Sequence, residues 1–152
     1  MADATVQNLR ETLCSESTPL TVRFRALFSL KHVATTGEPA TAAAAIEAIA
    51  AGFTSPSALL KHELAYCLGQ TKNEAAIQPL RDVLSNVTED AMCRHEAAEA
   101  LGALGNTESL DLLKYFRDRE GEAKVVTETC EIAIDRIEWE NSQQRQQEKL
   151  QQ

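Results

Sequence analysis

Lys61-His62-Glu63-Leu64-Ala65 and Arg94-His95-Glu96-Ala97-Ala98 are two versions of one phrase, set 33 residues apart and each followed in register by Leu-Gly, Leu68-Gly69 and Leu101-Gly102. A period of this length marks a solenoid of helix pairs, because one such unit can bury its apolar face only against its neighbours. Upstream, Val22-Arg23-Phe24-Arg25-Ala26-Leu27 fits over Leu60-Lys61-His62-Glu63-Leu64-Ala65. Downstream, Val126-Thr127-Glu128-Thr129-Cys130-Glu131 fits over Arg94-His95-Glu96-Ala97-Ala98-Glu99. About four units are expected, with His-Glu in the middle two.

The surrounding sequence supports an all-α reading. Gly and Pro number only 6 and 4, and aromatic residues make up 5% of the chain, a mix that favours helices over sheets. Thr18 before Pro19, Ser55 before Pro56, and Asn106-Thr107 offer helix openings, while Gly37, Gly52 and Gly105 are placed to end helices. Ala76-Ile77, Leu80 and Val83-Leu84 recur at helical spacing and predict an outer helix. The inner helix that follows is expected from about Ala91 to Leu104. The predicted architecture is an α-solenoid of about four HEAT-like helix-pair repeats over residues 1–140. Residues 141–152 form a polar Gln-rich tail or linker, with Trp139 as a packing cap on the last helix.

A formal charge of -8 opposes binding to phosphate backbones and anionic lipid surfaces, so neither nucleic acid nor membrane is an expected partner, and a basic protein suits the field better. Cys14, Cys67, Cys93 and Cys130 are scattered without a C-x-x-C pair, as free thiols of a reducing compartment are. The start Met1-Ala2-Asp3 has no basic and apolar leader pattern. A cytoplasmic location is the expectation.

Chemistry concentrates in the repeated pairs. Packing in such a unit asks for small or aliphatic residues at Ala97, Ala100, Leu101 and Leu104, and leaves the places after the Arg nearly unconstrained. His-Glu fills those places twice. Adjacent inner helices lie roughly 8 to 10 Å apart, so His62, Glu63, His95 and Glu96 can converge between them. Two imidazoles with carboxylates suit Fe(II), Mn(II) or Zn(II), and the two-His-one-carboxylate set with open positions favours non-haem iron. No Cys joins them in register, which argues against a closed structural zinc site. Tyr66 and Glu99 follow His62 and His95 by one turn, and Glu99 is placed to orient the His95 ring. His32 lies outside the register and reads as surface. Arg23, Arg25, Lys61 and Arg94 open the inner helices and are expected to bridge units. Two other classes compete with an iron enzyme: a catalytically idle scaffold that binds a protein along its inner face, and a hydrolase using zinc-bound water.

The stretches Ser57 to Gln70 and Arg94 to Ala103, extended by Val22 to Leu30 and Glu128 to Glu131, resemble the deoxyhypusine hydroxylase family over most of the chain. The resemblance implies a HEAT-repeat di-iron oxygenase that uses dioxygen to hydroxylate deoxyhypusine in the hypusine-containing translation factor. It also implies that His62, His95 and Glu96 ligate one iron, and that Glu63 joins them or, as a catalytic residue, binds the substrate amine. That family has two similar halves and four His-Glu pairs, whereas this chain has two pairs and resembles the first half. A second half, or a homodimer with a self-complementary interface, would complete the di-iron site.

Overall fold

The computed structural model describes residues 2–152, with side chains from Ala4 onward, and its regular structure among them is entirely helical. Four outer helices, α1 (Ala2–Cys14), α3 (Pro39–Ala51), α5 (Ile77–Ser85) and α7 (Leu110–Asp118), alternate with four inner ones. The inner row is α2 (Leu20–Thr36), α4 (Ala58–Gln70), α6 (Ala91–Leu104) and α8 (Lys124–Leu150). Helices α4, α6 and α8 pack side by side, α5 covers α6, and α7 covers α8. At the other end α3 packs mainly on α1 and α2. The four-unit solenoid read from the repeat is the observed architecture.

The predicted inner helix coincides with α6, and Leu80, Val83 and Leu84 are the buried face of α5. The two middle inner helices begin the same way. Ser57 Oγ accepts from Leu60 N–H and opens α4, and 33 residues on Asp90 accepts from Met92 N–H and opens α6, each five residues before its histidine. Gly105 ends α6 at φ 73, a left-handed position that glycine occupies without steric cost.

Packing between the inner helices fixes the register. An added Cβ on Gly69 would stand 2.7 Å from Ala100 Cβ, and one on Gly102 would stand 2.9 Å from Ala133 Cβ. The two close approaches repeat with the 33-residue period, so α8 continues the register of α6. Glu128-Thr129 therefore lies under His95-Glu96, one residue off the downstream alignment drawn from sequence. That alignment matches Glu128 to Glu96 by residue type, whereas burial of Val126, Thr129 and Cys130 sets the true phase.

The bridges expected of the inner-helix cations are present for two of them. Lys61 Nζ lies 2.6 Å from Glu89 Oε1, and Arg94 grips both oxygens of Glu122 at 2.5 and 2.9 Å, each pair spanning 28 residues into the next unit. Arg23 instead pairs within its own unit, with Glu16, and Arg25 is exposed. Arg23 and Arg94 also donate through Nε to the carbonyls of Leu13 and Leu84, ten residues earlier in each case. At the C-terminal end one expectation takes a definite form and another differs from the structure. The polar stretch after residue 140 continues α8 to Leu150, since Gln, Glu, Lys and Arg are good helix formers. Trp139 is 61% exposed, because Ile134 and Ile137 take the buried face of α8 and turn it outward.

Candidate metal centre

The two histidines reach the same carboxylate. His62 Nε2, from the second turn of α4, lies 3.0 Å from Glu96 Oε1 on α6, and His95 Nε2 lies 3.4 Å from that same oxygen. Glu99 adds a second carboxylate, its Oε2 3.7 Å from His95 Nε2. His95, Glu96 and Glu99 each offer a ligand atom within 4.8 Å of one another, and His62 joins this cluster through Glu96. The helical phase explains the arrangement. Leu64 and Ala97 point into the core two residues beyond their histidines, which leaves His62 and His95 at the margin between helices and tilts Glu96 into the seam. The Glu96 side chain is 11% exposed, against 36% for His62 and 22% for His95.

The donors of His95, Glu96 and Glu99 lie close enough together to share a small divalent ion, and His62 approaches from α4 through Glu96. Ligands held at about 2.1 Å from one ion and at right angles stand about 3.0 Å apart, close to the separations between the two Nε2 atoms and Glu96 Oε1. Nitrogen and oxygen donors with an open side suit iron better than a closed thiolate site would. The thiols are no competitors: burial pushes Cys67 and Cys130 up to about 12 and Cys93 up to about 11, so they stay protonated.

Of the residues singled out in the sequence, His62, His95 and Glu96 come together. Glu63 is half-buried on α4 and forms no hydrogen bond or ion pair among the described residues; its charge adds to the rise of the Cys67 thiol, secondarily to burial. Glu99 faces Nε2 of His95, whereas the orienting role expected of it requires a contact to Nδ1. Nδ1 is met instead by Thr129 Oγ1 of α8 at 2.6 Å. Sequence reasoning missed Thr129 because the downstream alignment is one residue out of phase. Tyr66 accepts from Gln70 Nε2 and shares with Glu96, Glu99 and Arg136 the wall of a groove of about 350 Å³. His32 is exposed, as expected.

Comparison with known proteins agrees with both the fold and the sequence pattern. A family of HEAT repeats matches residues 30–134. Deoxyhypusine hydroxylase of Gibberella zeae is 70% identical over 150 residues, which is 98% of this chain and 44% of the relative. The Neurospora crassa enzyme of the same name is 67% identical over 98% of this chain and 46% of its own length. The structure of human deoxyhypusine hydroxylase in complex with glycerol superposes with a TM-score of 0.84 at 43% identity, covering 93% of this chain and 46% of that one. The chain thus spans about half the length of the relatives it matches. With its fold, its repeat and its sequence in agreement, this chain belongs to the HEAT-repeat family and is similar over nearly all of its length to deoxyhypusine hydroxylases.

Proposed function

We propose that this chain supplies the N-terminal half of an iron-dependent deoxyhypusine hydroxylase. The observation that carries the reading is the convergence of two imidazole Nε2 atoms on one oxygen of Glu96, 3.0 and 3.4 Å away, in a chain so similar to proteins of that name. His62, His95 and Glu96 hold one Fe(II). A di-iron centre forms when a second half, or a second copy of the chain, brings further ligands to face them. Bound iron supplies the oxidising power, drawn from dioxygen, to hydroxylate an unactivated C–H bond, which no side chain can do.

The chain's own residues account for the rest. Glu63 has a carboxylate uncommitted to any hydrogen bond or ion pair among the described residues, and it receives the ammonium of the deoxyhypusine side chain or joins the ligands. The net charge of -8 attracts a cationic substrate side chain on the hypusine-containing translation factor. Residues 1–140 form the repeat domain and 141–152 lead toward the second half. The reaction is placed in the cytoplasm, where translation factors work.

Iron analysis of protein purified without oxygen tests this reading. The wild type is expected to retain iron, and His62→Ala and His95→Ala to lose it. A wild type with near-zero iron after anaerobic loading favours an idle scaffold and sinks the proposal.

A further inference from the structure

We propose that Thr129 is a positioning residue of this centre: it holds His95 with its proton on Nδ1, so that the Nε2 lone pair is presented to the metal. The Thr129 hydroxyl has one hydrogen and lies between two neighbours, 2.5 Å from the Val125 carbonyl oxygen and 2.6 Å from His95 Nδ1. A carbonyl only accepts. Two oxygens 2.5 Å apart need a hydrogen between them, so the hydroxyl donates to Val125 and has only lone pairs left for the ring. Nδ1 is therefore the donor, and Nε2 of the neutral ring carries no proton. That bare lone pair faces Glu96 Oε1 at 3.4 Å and Glu99 Oε2 at 3.7 Å. Such a meeting is repulsive unless a metal ion, or a second proton on the ring, lies between the three atoms.

The contact comes from the repeat itself. His62 meets the residue 34 positions on, Glu96, and His95 meets the residue 34 positions on, Thr129. One register position thus delivers a carboxylate to the first histidine and a hydroxyl to the second. Thr129 is 8% exposed, which keeps water from taking its place. A buried acceptor behind a ligating imidazole raises its basicity and fixes its plane.

The purpose assigned to Thr129 rests on the metal reading above, but the tautomer belongs to the metal-free chain and is measured there. Long-range ¹⁵N–¹H spectra of metal-free protein at about pH 8, where an ordinary imidazole is neutral, report which nitrogen of His95 bears the proton, with the signals assigned by their loss in H95Q. Wild type and Thr129→Ser are expected to show Nδ1–H. In Thr129→Val the proton is expected to move to Nε2, where it is donated to Glu96. Anaerobic Fe(II) titration is expected to give about 10- to 100-fold weaker binding for Thr129→Val, with Thr129→Ser close to wild type. An Nε2–H ring in the wild type, or a Thr129→Val protein with unchanged tautomer and affinity, overturns the proposal. A wild type that binds no iron yet keeps Nδ1–H refutes the metal reading and leaves the hold of Thr129 on the ring standing.

Discussion

Single side chains at this site are set by what the neighbouring helix offers. Glu96 is the hinge of the arrangement, since one of its oxygens is the meeting point of both imidazoles. The cysteines show the opposite fate: Cys67, Cys93 and Cys130 are sealed in the core, and only Cys14 is partly accessible. Burial raises all four thiols, Cys14 included. A thiol reagent at neutral pH is therefore expected to modify Cys14 first, with the other three reacting only once the chain is denatured. Rapid labelling of four thiols in the native protein contradicts this account of the core. His62, His95 and Glu96 were legible as a set because a pair repeated at the solenoid period must fall on matching turns of neighbouring helices. Thr129 was not, because a hydroxyl carries no motif, and its role appears only when α8 is placed in phase with α6.

At the scale of helices, two devices hold the inner row together. The first is close approach: Gly69 lets α6 come against α4, and Gly102 lets α8 come against α6, so near that any side chain there would strike Ala100 or Ala133. Gly69→Ala is expected to cost about 1–3 kcal/mol by overpacking, more than the ~1 kcal/mol that alanine gains in helix propensity. Urea denaturation checks this, and a variant as stable as wild type contradicts the close packing. The second is the ion pair from each of α4 and α6 to the next unit. Hydrogen bonds from Arg94, against the opposing effect of burial, hold the Glu122 carboxyl down to about 2 from an ordinary 4.5, with help from the Ala123 N–H and Arg119. The Glu122 side chain is 3% exposed, and Arg94 also lies 5.2 Å over the Phe116 ring. Glu122→Ala leaves that guanidinium unpaired and is expected to cost roughly 3 kcal/mol at neutral pH. Because the folded value lies below the unfolded one, this contribution is full above about 4.5 and fades as pH falls toward 2. The gap between wild type and variant in denaturation experiments should shrink over that window; a constant gap contradicts the pairing.

Over the whole molecule, the solenoid converts a sequence period into a chemical one. The four-unit plan was readable because capping, glycine positions and aliphatic spacing all repeat with the His-Glu pairs. At the C-terminal end polar composition marks a tail or linker without setting its conformation, and Arg136–Glu140 pairing with strong helix formers carries α8 to Leu150. The proposed half-site also has a physical basis. Two imidazoles and Glu96 meet at the margin of α4 and α6, with the groove beside them open toward Tyr66 and Glu99, so one face of a bound ion is left for ligands from elsewhere. This chain by itself is expected to hold iron through His62, His95 and Glu96. X-ray absorption at the iron edge of the anaerobically loaded chain tests it most directly. The predicted spectrum has nitrogen and oxygen ligands only, with the outer-shell scattering of two imidazoles. Sulfur ligation, or a spectrum without imidazole scattering, would contradict it.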